Sequence, residues 1–203
     1  MTKSDQLYID STEEKASAAI AVVDEFLSLQ NLDRKKAIHL RLLAEEAVGM
    51  VKAMTGDFEA LFWMEQEDGE YKVKLTVKTD MDREKKEELL SLSTSGYNTA
   101  AKGIMGKIRE IIENSLLDLD SALRQQSQYG GNNGYTYVGM GMLEDAPVWS
   151  LNSYREALED KSDKYDTDDE AWDELERSIV ASLAKDVTIG IKNNLVDMTI
   201  TAR

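Results

Sequence analysis

The sequence predicts an α+β protein, a two-layer sandwich in which helices cover one face of an antiparallel or mixed β-sheet. Near each end of the chain, a segment of helical period is followed by two predicted strands joined by turn residues. Each predicted hairpin has an apolar face on which helices can pack. Helices that pack on this apolar face would complete a two-layer domain.

The N-terminal elements are a short strand and two helices. Residues 7–12, LYIDST, predict the strand and a helix-cap signal, because Ser11 and Glu14 have the spacing of a capping box. Apolar residues at helical spacing predict a first helix over about 15–29, and Asp33 is a suitable cap for the second. The core side of the second helix is predicted to consist of Ile38, Leu42, Leu43, Ala47 and Met50.

Two hairpins follow the two helical regions. Residues 57–66 and 71–79 read as strands joined by the turn dipeptide Asp68-Gly69. In the second of these strands one face is aliphatic and the other carries lysine and threonine. Near the C-terminus, the pattern predicts a helix over 172–186, strands over 187–192 and 195–201, and a turn at Asn193-Asn194.

The middle of the chain is less periodic. Segments 83–92 and 101–117 predict helices, whereas the glycine-rich segment 129–148 predicts a loop. A short helix is expected over 150–160 and a solvated acidic run over 161–170. We expect one domain over residues 1–203, built from an N-terminal part (1–82), a long insertion (83–170) and a closing helix and hairpin (171–203).

Composition narrows the range of partners. Lysine and arginine number 24 and aspartate and glutamate 39, giving a formal charge of −15. This charge argues against nucleic-acid binding through a general basic surface and favours a basic protein partner. The chain has no cysteine, no apolar run suited to a signal peptide at its start, and no long apolar stretch. We therefore expect a cytoplasmic protein that neither spans a membrane nor uses thiol chemistry.

The segments LYIDSTEEKASAAIAVVDEFL, LDRKKAIHLRLLAEEAVGMV and SIVASLAKDVTIGIKNNLVDMTI carry a family resemblance. With the first hairpin, they resemble the histidine-kinase-like ATPase superfamily and look most like its anti-sigma-factor serine kinases. The similarity covers about 1–82 and 171–203, and the 83–170 segment is longer than the family's lid over the nucleotide. The resemblance implies the family's two-layer fold, Mg-ATP as cofactor and a protein partner, and it allows a homodimer.

The resemblance also places a nucleotide site. Family members carry a glutamate, the candidate general base, and an asparagine four residues later that holds Mg²⁺. Glu46 matches the glutamate, but Met50 stands at the asparagine position, and a thioether is a poor ligand for Mg²⁺.

Two further family motifs are altered. In the Asp-x-Gly motif, Asp80 matches the aspartate that reads adenine, but Asp82 replaces the glycine and would repel phosphates. The stretch 169–178 has no glycine where the family has a glycine-rich, phosphate-binding turn.

The two adjacent glutamates need separate interpretations. Glu45 is expected to be exposed. Glu46 is expected either at the margin of the nucleotide cleft or in an ion pair with a lysine such as Lys78. His39, two turns before Glu46, is expected to be structural. The acidic run with Asp163 and the glycines near 101–108 lack the full spacing of calcium and P-loop sites.

Three functions remain open. The altered motifs favour a non-catalytic regulatory protein with an anti-sigma-kinase-like fold, a degenerate nucleotide site and a protein partner. The first alternative is an ATP-binding serine kinase with a divergent lid, in which Glu46 is the base and Asp80 reads adenine. The second is a small-molecule sensor that reuses the remodelled cleft.

Overall fold

A computed structural model describes residues 1–10, 12–52, 59–78, 104, 106, 108, 149–162, 169–192 and 195–202. Its strands form one sheet in the order β1-β3-β4-β7-β6-β5, with β2 also paired to β3. All the strand pairs are antiparallel. The strands are β1 (Thr2–Lys3), β2 (Leu7–Ile9), β3 (Glu59–Glu67), β4 (Glu70–Lys78), β5 (Trp149–Ser150), β6 (Ala184–Lys192) and β7 (Leu195–Ala202).

The β3–β4 hairpin closes on the predicted turn. Glu67 pairs with Glu70, so Asp68 and Gly69 form a two-residue connection. Both residues have positive φ, 52° and 83°, as a type I′ turn requires. Glycine adopts this conformation without the steric cost of a Cβ atom, which explains why the hairpin turns here.

The helices are α1 (Glu13–Ser28), α2 (Arg34–Lys52), α3 (Leu151–Ser162), α4 (Asp169–Arg177) and α5 (Ile179–Leu183). The cap of α1 is Thr12, one residue after the predicted Ser11, which lies outside the described residues. Asp33 caps α2 as predicted, because its Oδ1 accepts a hydrogen bond from the Lys36 N–H at 3.0 Å. Ser150 caps α3 in the same way, accepting from the Ser153 N–H at 3.1 Å.

One face of the sheet is covered by helices and holds the core. Helix α1 packs on β2 and β3, α2 on β4 and β7, α3 on β5 and β6, and α5 on α2 and β6. Neighbouring strands place their buried side chains in register on this face, as in the row Phe62, Leu75, Met198 and Ile189. The α+β class and the helix-covered antiparallel sheet are therefore confirmed.

The structure corrects several predicted elements. The single helix predicted over 172–186 is two helices, because Ser178 has an extended backbone and its Oγ accepts from the Ala181 N–H at 3.2 Å. The chain then enters β6 at Ala184, since pairing with β7 begins there. Ile38 was assigned to the core but is 47% exposed. Strands β1 and β5 were not predicted, because two-residue strands carry too little periodicity to detect.

Other predictions fall on residues outside those described. These are the elements over 83–92 and 129–148, the acidic positions around Asp163, and the turn at Asn193-Asn194. Within the predicted 101–117 helix, residues 104, 106 and 108 are described and helical. Ile104 and Ile108 are buried, one turn apart, in the common core.

Candidate functional site

Two flanks of α2 have different surroundings. Arg41 Nε lies 3.0 Å from Asp24 Oδ1 on α1, and Lys52 forms an ion pair with Glu13 at the start of α1. Both ion pairs bridge the two helices. The flank that carries Arg41 and Lys52 therefore faces α1.

Glu46 and Met50 lie on the other flank of α2. At 3.6 residues per turn, Glu46 is rotated by about 140° from Arg41, and Met50 lies one turn beyond Glu46. This flank turns away from α1, and α5 packs against α2 in the same layer. The structure thus brings Glu46 and Met50 together on one helix flank, as predicted.

Met50 is part of the hydrophobic core. It is 4% exposed and belongs to the same buried cluster as Leu43 and Ala47 of its helix. A buried thioether gains apolar transfer energy and offers a hard cation no oxygen ligand. A core side chain therefore occupies the position at which the sequence resemblance would place a metal ligand.

The neighbouring glutamates differ in exposure and pairing. Glu45 is exposed, as predicted, and its Oε1 lies 3.3 Å from Nη2 of Arg41 one turn earlier. Glu46 is half-buried and makes no ion pair with any side chain that the structure describes. The alternative pairing with Lys78 lies outside the described side chains.

The other predicted site positions contribute less. Asp80 and Asp82 lie outside the described residues. The glycine-free stretch 169–178 forms α4 and ends at Ser178, the cap of α5. His39 is half-buried, and two helical turns separate it from Glu46 by about 10 Å along the axis, which prevents a direct hydrogen bond.

The sequence analysis missed the most buried charged side chain among the described residues. Glu65 lies on the sheet face opposite the core and is only 5% exposed. Its Oε1 lies 2.7 Å from Lys3 Nζ and accepts a hydrogen bond from Trp63 Nε1 at 2.8 Å. The local sequence does not predict this burial, because alternation along β3 places Glu65 on the polar face. The side chain that covers it, Lys3, lies on β1, about sixty residues earlier in the chain.

These contacts determine the charge state of Glu65. Burial by itself raises the pKa of this carboxyl group, since a charged form is costly to desolvate. The contacts with Lys3 and Trp63, together with the charge of Lys74, outweigh burial and lower the pKa below its ordinary value. Glu65 is therefore an ionised structural group that joins β1 to the sheet.

The described part of the chain contains neither a metal-binding cluster nor a membrane-spanning helix. No group of three or more histidine, cysteine, aspartate or glutamate side chains there is placed to hold a metal ion. None of the described helices has the length and apolar character needed to cross a bilayer.

Comparison with known proteins did not assign a family or a function to this chain. Neither the scan against protein-family models nor the search of curated proteins found a match for this chain.

Proposed function

We propose that this protein is a non-catalytic regulatory domain with an anti-sigma-kinase-like fold, which binds a protein partner and carries a degenerate nucleotide site. The observation that carries the proposal is the burial of Met50 one turn after Glu46. Phosphoryl transfer depends on metal ions that neutralise the developing charge on the phosphates. A candidate base whose neighbouring metal-ligand position is a core methionine lacks this electrostatic partner.

Two other features support the same proposal. Asp82 replaces a glycine of the family motif and would add negative charge beside the phosphates. The stretch 169–178 is free of glycine and helical as far as Arg177, so it has no glycine-rich turn to bind phosphate through backbone N–H groups. All these changes would weaken the binding of Mg-ATP. We therefore propose that the domain acts by recognising a protein partner.

Isothermal titration calorimetry of the full chain with Mg-ATP tests the proposal. We expect no saturable heat at millimolar Mg-ATP. Micromolar binding with turnover of ATP would overturn the proposal. If a weak binding signal is seen, the variants Glu46→Gln and Glu45→Gln show whether it comes from the predicted site. Loss of the signal in Glu46→Gln alone would place it there, since Glu45 lies next to Glu46 but pairs with Arg41.

One observation favours the serine-kinase alternative. Glu46 is half-buried and has no cation among the described side chains, so its carboxylate is available to accept a proton. In this alternative Glu46 is the general base and Asp80 reads adenine. If Glu46→Gln left a measured ATPase or kinase rate unchanged, the assignment of Glu46 as the general base would be wrong.

A further inference from the structure

We propose that the start of α2 and the end of α1 form a docking surface for an acidic, amphipathic helical segment of the partner protein. This inference rests on the proposed function in taking a protein as the partner. The surface, here called the α1–α2 corner, consists of Leu29, Arg34, Lys35 and Ile38. It combines exposed aliphatic side chains with cations that pair with no described acid.

The apolar part of the corner is unusually open to solvent. Leu29 is 75% exposed and Ile38 is 47% exposed, and both are among the few large exposed hydrophobic side chains of the described residues. Ile38 lies four residues after Arg34 and three after Lys35, so both cations flank it on the solvent side of α2. An aliphatic side chain flanked by cations can contact the apolar stripe of an acidic helix.

The local charge is opposite to that of the whole chain. Residues 29–42 contain four lysine or arginine residues and one acid, Asp33, whereas the chain carries −15. Two of the cations are engaged, because Arg41 pairs with Asp24 and Glu45, and Lys36 Nζ lies 5.2 Å from the ring centroid of Tyr71. Arg34 and Lys35 pair with no acid that the structure describes, and both are exposed.

These two cations oppose the electrostatics of their own helix. The N-terminus of a helix is its positive end and is stabilised by acidic side chains, yet the first turn of α2 contains none. Among the described residues, the cap Asp33 places one carboxylate at this end of the helix, but neither Arg34 nor Lys35 forms an ion pair with it. Carboxylates of a bound segment would pair with these two cations and add to the stabilisation of the helix end.

The residues around the corner favour a single helix over a bilayer or a nucleic acid as its binding partner. Exposed acids lie close to it, among them Glu25 on α1 and Asp33 at the turn. A flat anionic bilayer would be repelled by these acids and by the rest of this strongly acidic protein. A single helix is small enough to contact only the corner, so it avoids most of this repulsion. The two exposed cations of the corner also release too few counterions to hold a nucleic-acid backbone firmly at physiological salt.

The test measures binding of a defined peptide to the full chain by fluorescence anisotropy. The probe is a fluorescein-labelled amphipathic peptide of leucine, alanine and glutamate, about 15 residues long so that it can form a helix. A matched peptide carries lysine in place of each glutamate. We expect micromolar binding of the acidic peptide only, weakening as salt is raised.

Variants then locate the site. The double variant Arg34→Glu/Lys35→Glu, and separately Ile38→Glu, should each weaken binding of the acidic peptide by about tenfold or more. Lys15→Glu and Ile179→Glu are the matched controls, because these residues are also exposed but lie elsewhere, and they should change binding less than about twofold. Circular dichroism of each variant verifies its fold.

Several results would overturn the docking proposal. They are no binding of the acidic peptide, equal binding of the lysine peptide, or equal losses in the control variants. Cosedimentation with phosphatidylserine vesicles that depends on Arg34 and Lys35, without peptide binding, would identify a membrane surface instead. The Mg-ATP titration is independent of these measurements, so failure of the docking surface and failure of the non-catalytic assignment are distinguishable.

Discussion

Glu65 and Glu46 lie in opposite layers of the molecule and have opposite surroundings. Glu65, on the outer face of the sheet, is 5% exposed and contacts both Lys3 and Trp63. Glu46, on the helical layer, is half-buried and pairs with no described cation. The buried glutamate is thus the one fixed by described contacts, whereas the half-buried glutamate has no ion pair with a described side chain.

Met50→Ala should have the largest effect on the Glu46 region. Removing a buried methionine side chain leaves a cavity, so we expect a loss of about 3 kcal/mol in the free energy of unfolding. Urea denaturation measures this loss, and Leu29→Ala, at a site 75% exposed, is the control with little change. A loss as small as that of the control would mean that Met50 is not a core side chain. The contrast between the Glu46 and Glu65 regions would then be wrong.

Glu65→Ala should destabilise the protein by about 2 kcal/mol, because it removes a buried carboxylate and leaves Trp63 Nε1 and the half-exposed Lys3 without their acceptor. Glu59→Ala, an exposed position on the same face of β3, is expected to stay within about 0.5 kcal/mol of the wild type. Urea midpoints at a common m value provide the comparison. Equal effects of the two substitutions would show that the contacts of Glu65 contribute nothing to folding.

The contribution of Glu65 should also depend on pH. Its pKa is lower in the folded protein than the ordinary value of 4.5, so its stabilisation is complete above that value. It is lost as the pH falls below 4.5 through the folded pKa. The stability difference between the wild type and Glu65→Gln should therefore shrink in acid. A difference that stays constant from neutral pH to well below 4.5 would contradict this assignment.

Gly49→Ala should stabilise the protein by about 0.5–1 kcal/mol, although the residue is adjacent to Met50. Gly49 is an exposed helical residue, and a Cβ atom there would meet nothing within 4 Å. Alanine lowers the entropy of the unfolded chain and favours the helix. Thermal unfolding should show a higher midpoint, and a lower midpoint would mean that the solvent side of α2 is covered in solution.

Glu46→Gln should have the smallest effect on folding, less than about 0.5 kcal/mol, because the described side chains give Glu46 no ion pair to lose. Urea denaturation of Glu46→Gln beside Glu65→Gln gives the most direct comparison of the two regions. A destabilisation of Glu46→Gln as large as that of Glu65→Gln would reveal a hidden partner for Glu46 and weaken its interpretation as a free carboxylate.

The charge of the whole chain differs in sign from the local charge at the start of α2. The whole-chain value of −15 favours basic partners, yet residues 29–42 carry four cations and one acid. Screening limits the reach of exposed charges to about 8 Å at physiological salt, so a docking partner responds mainly to the local surface. Sequence periodicity also misplaced Ile38, because it cannot distinguish a core residue from an exposed aliphatic side chain at the edge of the same stripe.

The β3–β4 hairpin and the two N-terminal helices followed from the amino-acid sequence alone, because alternation, helical spacing, Asp33 and Asp68-Gly69 act on neighbouring residues. The helix break at Ser178 and the burial of Glu65 did not. Ser178 breaks a continuous helical pattern six residues before Ala184 begins to pair with β7, and Glu65 is covered by Lys3 from a distant part of the chain. Such contacts depend on which strands meet in the sheet, so only the assembled molecule places them.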